Sequence, residues 1–223
     1  MMPNIQQFTF NPFQEQSLII WDENGYCTII DPGYTDAEKD QLVAFINTNN
    51  LKPVCVMLTH GHFDHIYGLH DFVRTYEVPV YMDIKETFSF EKTNPYVCSN
   101  YGLPLPELPP YESFRNVKDG DLIEVGSLRF EVLETPGHSV GGLCFLERAQ
   151  KLLISGDTLF AGAIGRTDHP GGDYDQLMNS IFTKLMCLDG EIMVLPGHGP
   201  TSDIATERMT NPFLMPFNEP YDE

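Results

Sequence analysis

The sequence predicts an α/β protein in which two sheets pack together with helices outside. Three observations point there. Short apolar strands fill the first third of the chain and return in its second half. Only a few amphipathic helical segments lie between them. Several strands run straight into glycine-containing turns that carry histidine or aspartate, which would gather polar groups along one sheet edge. With 42% hydrophobic residues among 223, the chain can bury a sizeable core, and a single domain over residues 1–223 is expected.

The elements follow in order. Ile5–Phe10 alternates weakly, Ser17–Trp21 is apolar, and Tyr26–Ile30 leads into an Asp31-Pro32-Gly33 turn. Thr35 and Glu38 make a capping box for a helix whose apolar stripe is Leu42, Phe45 and Ile46. Pro53–Leu58 reads as a buried strand that runs into Thr59-His60-Gly61-His62-Phe63-Asp64-His65, with a helix expected from about Ile66. From about Glu91 to Tyr111 the chain is rich in Pro, Asn and Tyr and reads as an irregular excursion. Its Pro95–Tyr111 part would suit a lid or an interface. Strands resume around Asp121–Val125, Leu128–Leu133, Gly142–Leu146 and Lys151–Ile154. A helix fits Tyr174–Leu185, with Asp173 as its N-cap and Leu177, Ile181 and Leu185 on one face. Ile192–Leu195 is the last buried strand, followed by Gly197-His198-Gly199 and a short helix around Asp203–Arg208.

Charge and cysteine usage narrow the function classes. Thirty-two acidic residues against 13 basic give a formal charge of −19, which repels nucleic acid and anionic membranes. The five cysteines are scattered, odd in number and form no Cys-x-x-Cys pair, which argues against a disulfide framework or a thiolate zinc site. The first residues lack a basic segment followed by an apolar one, so no signal peptide is expected, and the expected location is the cytoplasm.

The histidines carry the chemistry. Of the seven, five lie past strand ends among glycines: His60, His62, His65, His138 and His198. Asp157 follows Leu152–Ile154 through Ser155-Gly156 in the same manner. Imidazole and carboxylate are the ligands that borderline divalent metals prefer. An extended His60-x-His62 puts both rings on one side, while Asp64 and His65 point elsewhere and begin a second cluster. His70 and His169 read as ordinary core or surface residues. The set therefore predicts one or two metal ions held by His60, His62, Asp64, His65, His138, Asp157 and His198. Zinc is expected, with iron or manganese as alternatives.

His60-Gly-His62-Phe-Asp64-His65, Pro136-Gly-His138-Ser, Gly156-Asp157-Thr and Pro196-Gly-His198-Gly, in that order, resemble the motifs of the metallo-β-lactamase-fold superfamily. The resemblance implies an αβ/βα four-layer sandwich with the metal site at one edge. It implies that His60, His62 and His138 hold a first metal, that Asp64, His65 and His198 hold a second, and that Asp157 bridges them. It places Asp31 behind the site as a support, although a plain turn residue would read the same way. Further along, Gly156-Asp157-Thr-Leu-Phe160, Gly165-Arg166-Thr-Asp168, Pro170-Gly171-Gly172-Asp173, Glu207-Arg208 and Asn211-Pro212-Phe213 resemble single-domain glyoxalase II-like hydrolases. That branch implies hydrolysis of a small-molecule thioester such as S-lactoylglutathione by a metal-bound hydroxide oriented by Asp64. It places Arg166 and Asp168 at the substrate. A guanidinium there can grip a substrate carboxylate, or pair structurally with Asp168 or Asp173. Two-domain glyoxalase II enzymes contact glutathione through a C-terminal helical domain. Nothing after Pro212 matches it, so thioester hydrolysis is the firmer expectation and glutathione the weaker. A persulfide dioxygenase-like mononuclear iron enzyme is the main alternative. A β-lactamase, a nuclease and a non-catalytic metal-binding member of the fold are the others.

Overall fold

The computed structural model describes residues 4–215. The first sheet is six-stranded, in the order β1 (Asn4–Phe10), β2 (Glu15–Trp21), β3 (Tyr26–Ile30), β4 (Lys52–Met57), β5 (Val80–Met82) and β6 (Phe114–Asn116). Its first three strands are antiparallel neighbours, and β3 to β6 run parallel. Strands β7 (Leu122–Val125), β8 (Leu128–Glu134), β9 (Leu143–Glu147), β10 (Leu152–Gly156), β13 (Met193–Pro196) and β14 (Ser202–Asp203) build the second. Its order is β14-β13-β10-β9-β8-β7, with β10 and β13 the parallel pair. A small ribbon, β11 (Leu159–Phe160) with β12 (Ala163–Ile164), follows β10.

Three cores make four layers. Between the sheets lie Leu18, Ile20 and Met57 from the first and Phe130, Val132, Phe145 and Ile154 from the second. The outer face of the first sheet, with Ile19, Ile29 and Val56, packs on Leu42 and Ile46 of helix α1 (Lys39–Thr48) and on Phe72 of α2 (Leu69–Tyr76). The outer face of the second, with Leu146, Leu153 and Val194, packs on Leu177 of α4 (Tyr174–Ser180) and Ile204 of α5 (Ile204–Thr210). Strands covered on both faces must be apolar at every position, which is why the sequence shows runs rather than alternation. The αβ/βα sandwich is thus the observed fold.

Several boundaries differ from expectation for local reasons. Glu38 does reach back, accepting from the Thr35 N–H at 2.9 Å and the Thr35 hydroxyl at 2.8 Å, but it closes a preceding turn and α1 starts at Lys39. The segment after His62 first makes a tight 3₁₀ turn, Phe63–His65, and α2 begins only at Leu69. Between them Gly68 lies under the Tyr34 ring, where an added Cβ would come within 2.5 Å. Half of the supposed irregular excursion is helical: the end of a π turn (Ser89–Thr93) runs into α3 (Asn94–Tyr101), which has a proline in its first turn and stops at Gly102 in the left-handed conformation (φ 65°). The Tyr174–Leu185 helix is regular to Ser180 and widens to a π turn over Ile181–Leu185, with Asp173 capping the Gln176 N–H at 2.9 Å. Strands β5 and β6 are three residues each, too short to show a period. No helix among the described residues is long and apolar enough to cross a membrane.

The intersheet core should dominate stability. Phe130 is fully buried there, so Phe130→Ala is expected to lower the unfolding free energy by about 3–5 kcal/mol, measured by urea denaturation. A loss below about 1 kcal/mol would show that this layer is not the principal core.

Candidate metal centre

The parallel strands aim their C-terminal ends at one edge. Asp31 follows β3, the His60–His65 segment follows β4, His138 follows β8, Asp157 follows β10 and His198 follows β13. The structure brings all seven proposed ligands together there. Ligand atoms of His60, His62 and His138 lie within 4.8 Å of one another, and so do those of Asp64, His65 and His198. Asp157 sits between the groups. One of its oxygens is 3.5 Å from His138 Nε2 and 3.6 Å from His198 Nε2, and the other is 3.5 Å from His65 Nε2.

The rings are held from behind, so their Nε2 atoms face inward. Nδ1 of His60 meets the Thr59 hydroxyl at 3.0 Å, and Nδ1 of His138 meets the Arg166 carbonyl at 2.7 Å. Nδ1 of His198 meets the Phe13 carbonyl at 3.1 Å, and Nδ1 of His65 meets Asp31 Oδ2 at 3.1 Å. Asp31 also accepts from the Thr59 N–H at 2.8 Å and from the Thr59 hydroxyl, adopting the left-handed backbone (φ 49°) to do so. It is therefore more than a turn residue: it fixes His65 and orients Thr59, which in turn meets His60.

The inward atoms test whether a metal fits. Nε2 of His60, His62 and His138 and one oxygen of Asp157 are buried with no hydrogen-bond partner. Buried polar atoms are nearly always paired, and three converging histidine nitrogens beside an unpaired carboxylate oxygen suit a divalent cation. Burial pushes the His60 and His62 pKa values well down, helped by neighbouring imidazoles, so both rings stay in the neutral form that ligates. Burial acts the same way on His65, but the carboxylates of Asp157, Asp64 and Asp31 outweigh it and favour a positive charge there. Nε2 of His65 and of His198 face each other at 3.2 Å, a contact that a shared proton or a cation relieves.

Other residues strap the ligand loops in place, and local sequence gave no sign of them. Glu86 is 1% exposed. Its Oε2 accepts from the Gly61 N–H and the Ser89 hydroxyl, both at 2.7 Å, and its Oε1 accepts from the Gly141 N–H at 2.6 Å. It thereby ties the His60–His62 loop to the loop after His138. Asn94 donates to the Gly61 carbonyl at 2.9 Å, and Asn11 donates to the Asp64 carbonyl at 2.8 Å. Glu15, fully buried behind His65 with its pKa pushed up by burial, accepts from Ser17. Gly61 and Gly141 lie 25 and 55 residues from Glu86, and Gly61 lies 33 from Asn94, whereas Ser89 is only three residues from Glu86 and Ser17 two from Glu15.

A cleft of about 600 Å³ opens over the centre, lined by Asp64, Asp157 and His198 and walled by Phe13, Phe63, Val97, Phe160, Ile164 and Arg166. The Arg166 guanidinium grips Asp168 through two bonds of 2.7 and 2.8 Å, the structural pairing, while Asp173 caps α4 instead. Asp168, expected at the substrate, is not among the residues lining the cleft and bears on it only by holding that guanidinium. His169, expected to be ordinary, lines the cleft with its ring 6.3 Å from that of His62. His70 meets the Leu108 carbonyl away from the centre. Val97 and Tyr101 of the Pro95–Tyr111 stretch form part of the cleft wall.

Residues 10–201 match the metallo-beta-lactamase superfamily, and the chain belongs to it. It is 36% identical over 213 residues to hydroxyacylglutathione hydrolase GloC of Haemophilus influenzae, covering 95% of this chain and 98% of that one. Among solved structures it is similar to the BLEG-1 B3 metallo-beta-lactamase, with a TM-score of 0.87, 33% identity and coverage of 96% and 100% of the two chains. It is also similar to TTHA1623 in a di-iron-bound form, with a TM-score of 0.83, 34% identity and coverage of 94% and 100%. The chain is accordingly a metallo-hydrolase of this superfamily.

All three partners of the Glu86 carboxylate are donors, so Glu86→Gln keeps the volume but turns an amide N–H against a peptide N–H. Zinc affinity is expected to fall about 10- to 100-fold, read by competition with a chromogenic chelator, with the circular dichroism unchanged. Unchanged affinity would show the strap to be dispensable.

Proposed function

We propose that this chain is a glyoxalase II-like thioesterase that cleaves S-acylglutathione or a similar small thioester. Two groups of ligand atoms flanking Asp157 at the floor of a substrate-sized cleft carry the hydrolytic part of this reading. The thioester part is supported by the hydroxyacylglutathione hydrolase relative, matched along nearly its full length. In this reading His60, His62 and His138 hold one ion, Asp64, His65 and His198 hold the other, and Asp157 serves both. Zinc is the proposed metal. Cations bound there would polarise the thioester carbonyl and lower the pKa of water towards neutrality.

The protein's own groups supply orientation. Asp64, on the 3₁₀ turn and pinned through its carbonyl by Asn11, faces the cleft and orients the attacking water. The new C–O bond forms at the carbonyl carbon as the C–S bond breaks, leaving a carboxylic acid and a thiol. A thiol of ordinary pKa near 8.5 leaves readily as thiolate, so no strong general acid is required of the cleft. Arg166, gripped by Asp168 on one side, keeps a nitrogen free to meet a substrate carboxylate. The proposed partner is the small molecule alone, and the proposed setting is the cytoplasm. The charge of −19 makes nucleic acid and anionic membrane unsuitable partners.

The zinc-loaded protein is expected to hydrolyse S-lactoylglutathione, followed by release of free thiol. Asp64→Asn should lower kcat by about 10²- to 10⁴-fold. Metal content, measured alongside, separates a lost ion from a lost orientation. A fully loaded protein inert towards every thioester would sink this reading, and oxygen uptake with glutathione persulfide would replace it.

A further inference from the structure

The cleft is not the same at its two ends. Arg166 and His169 stand at the His62/His138 end: the Arg166 carbonyl holds His138 at 2.7 Å, and the rings of His169 and His62 are 6.3 Å apart. Three phenylalanines collect at the Asp64/His198 end. The Phe13 carbonyl holds His198 at 3.1 Å, the Phe160 ring lies 6.3 Å from the His198 ring, and Phe63 adjoins Asp64 in the chain. Phe13 and Phe63 meet edge to face with centroids 5.0 Å apart.

These rings come from separate elements: the β1–β2 turn, the 3₁₀ turn and β11. Core packing does not account for all of them. Phe13 is 40% exposed and Phe160 half-buried, and both line the cleft. Apolar rings that converge on a cleft without closing it are the mark of a binding surface rather than of a core. None of the three carries a hydrogen-bonding group on its side chain.

From this gradient, and resting on the thioester reading above, we propose that the acyl group occupies the Asp64/His198 end against Phe13, Phe63 and Phe160. The class of acyl group selected is apolar and larger than lactoyl, a medium aliphatic chain or an aryl group. The thiol portion lies towards Arg166 and His169. Beyond Asp64 and His198 the wall is formed by rings, which a short lactoyl group scarcely reaches, whereas each added methylene gains contact with them.

The test compares S-hexanoylglutathione with S-lactoylglutathione on the metal-loaded full chain, then repeats both acyl groups on N-acetylcysteamine. The hexanoyl ester is expected to show kcat/KM at least about 10-fold higher. Phe13→Ala and Phe160→Ala should each cut the hexanoyl value by about 10-fold and the lactoyl value by less than about 3-fold, with either thiol. Phe13, in an exposed turn outside the sheets, provides a second variant should Phe160→Ala disturb β11, and circular dichroism and metal content check that each variant is folded and loaded. Hexanoate should also bind more tightly than lactate by calorimetry, a readout free of turnover. An enzyme that prefers lactoyl, or whose acyl preference ignores both phenylalanines, overturns the acyl assignment alone. A loaded protein that cleaves no thioester overturns the thioesterase reading and this inference with it.

Discussion

Crowding imidazoles and carboxylates into a nearly dry edge is the constraint on which the rest of this structure depends. Each ring has two nitrogens and both must be answered. The outer nitrogens of His60, His65, His138 and His198 are taken by Thr59, Asp31, the Arg166 carbonyl and the Phe13 carbonyl. That leaves the inner nitrogens aimed at one another, an arrangement that a cation stabilises and that lone pairs alone would not. The polar cluster is thus built from outside inwards, with the fold holding the backs of the ligands.

The sandwich serves that requirement through its parallel strands. Because β3, β4 and β5 run one way, and β10 and β13 do so in the other sheet, loops from both sheets can meet over one edge. The loops must then come very close. An added Cβ on Gly197 would sit 2.4 Å from an Asp157 oxygen and 2.7 Å from the His65 ring. At Gly156 (φ 49°) it would sit 2.4 Å from the Thr59 hydroxyl. Glycine at these two positions is what lets a carboxylate stand between two groups of imidazoles.

Buried carboxylates do much of the holding. Asp31 and Glu86 each accept several N–H or O–H donors, and each spans segments distant in the chain. Further from the centre, Glu207 accepts from Gly162 and Asn211, fixing the ribbon that carries Phe160 to α5. A chain with formal charge −19 therefore uses some of its acidic residues as internal fasteners rather than as surface.

The sequence by itself determined the elements whose signal is local. Apolar runs marked the central strands, Asp173 and Asp203 marked two helix starts, and histidines and aspartate past strand ends marked the ligand set and the edge. Tertiary structure alone decided what depends on residues far apart. The strands β5 and β6 exist because neighbours pair with them, and α3 forms beneath a proline-rich composition because it packs over Phe63. Asp31 became a support for His65 and Thr59 only once β3 lay beside β4. Glu86 became a strap only when Gly61 and Gly141 closed on it, and His169 reached the cleft only through the fold. A ligand motif is written in adjacent residues, whereas the hydrogen bonds that aim it, and the walls that choose what lies over it, are contacts between segments that only the packed chain brings together.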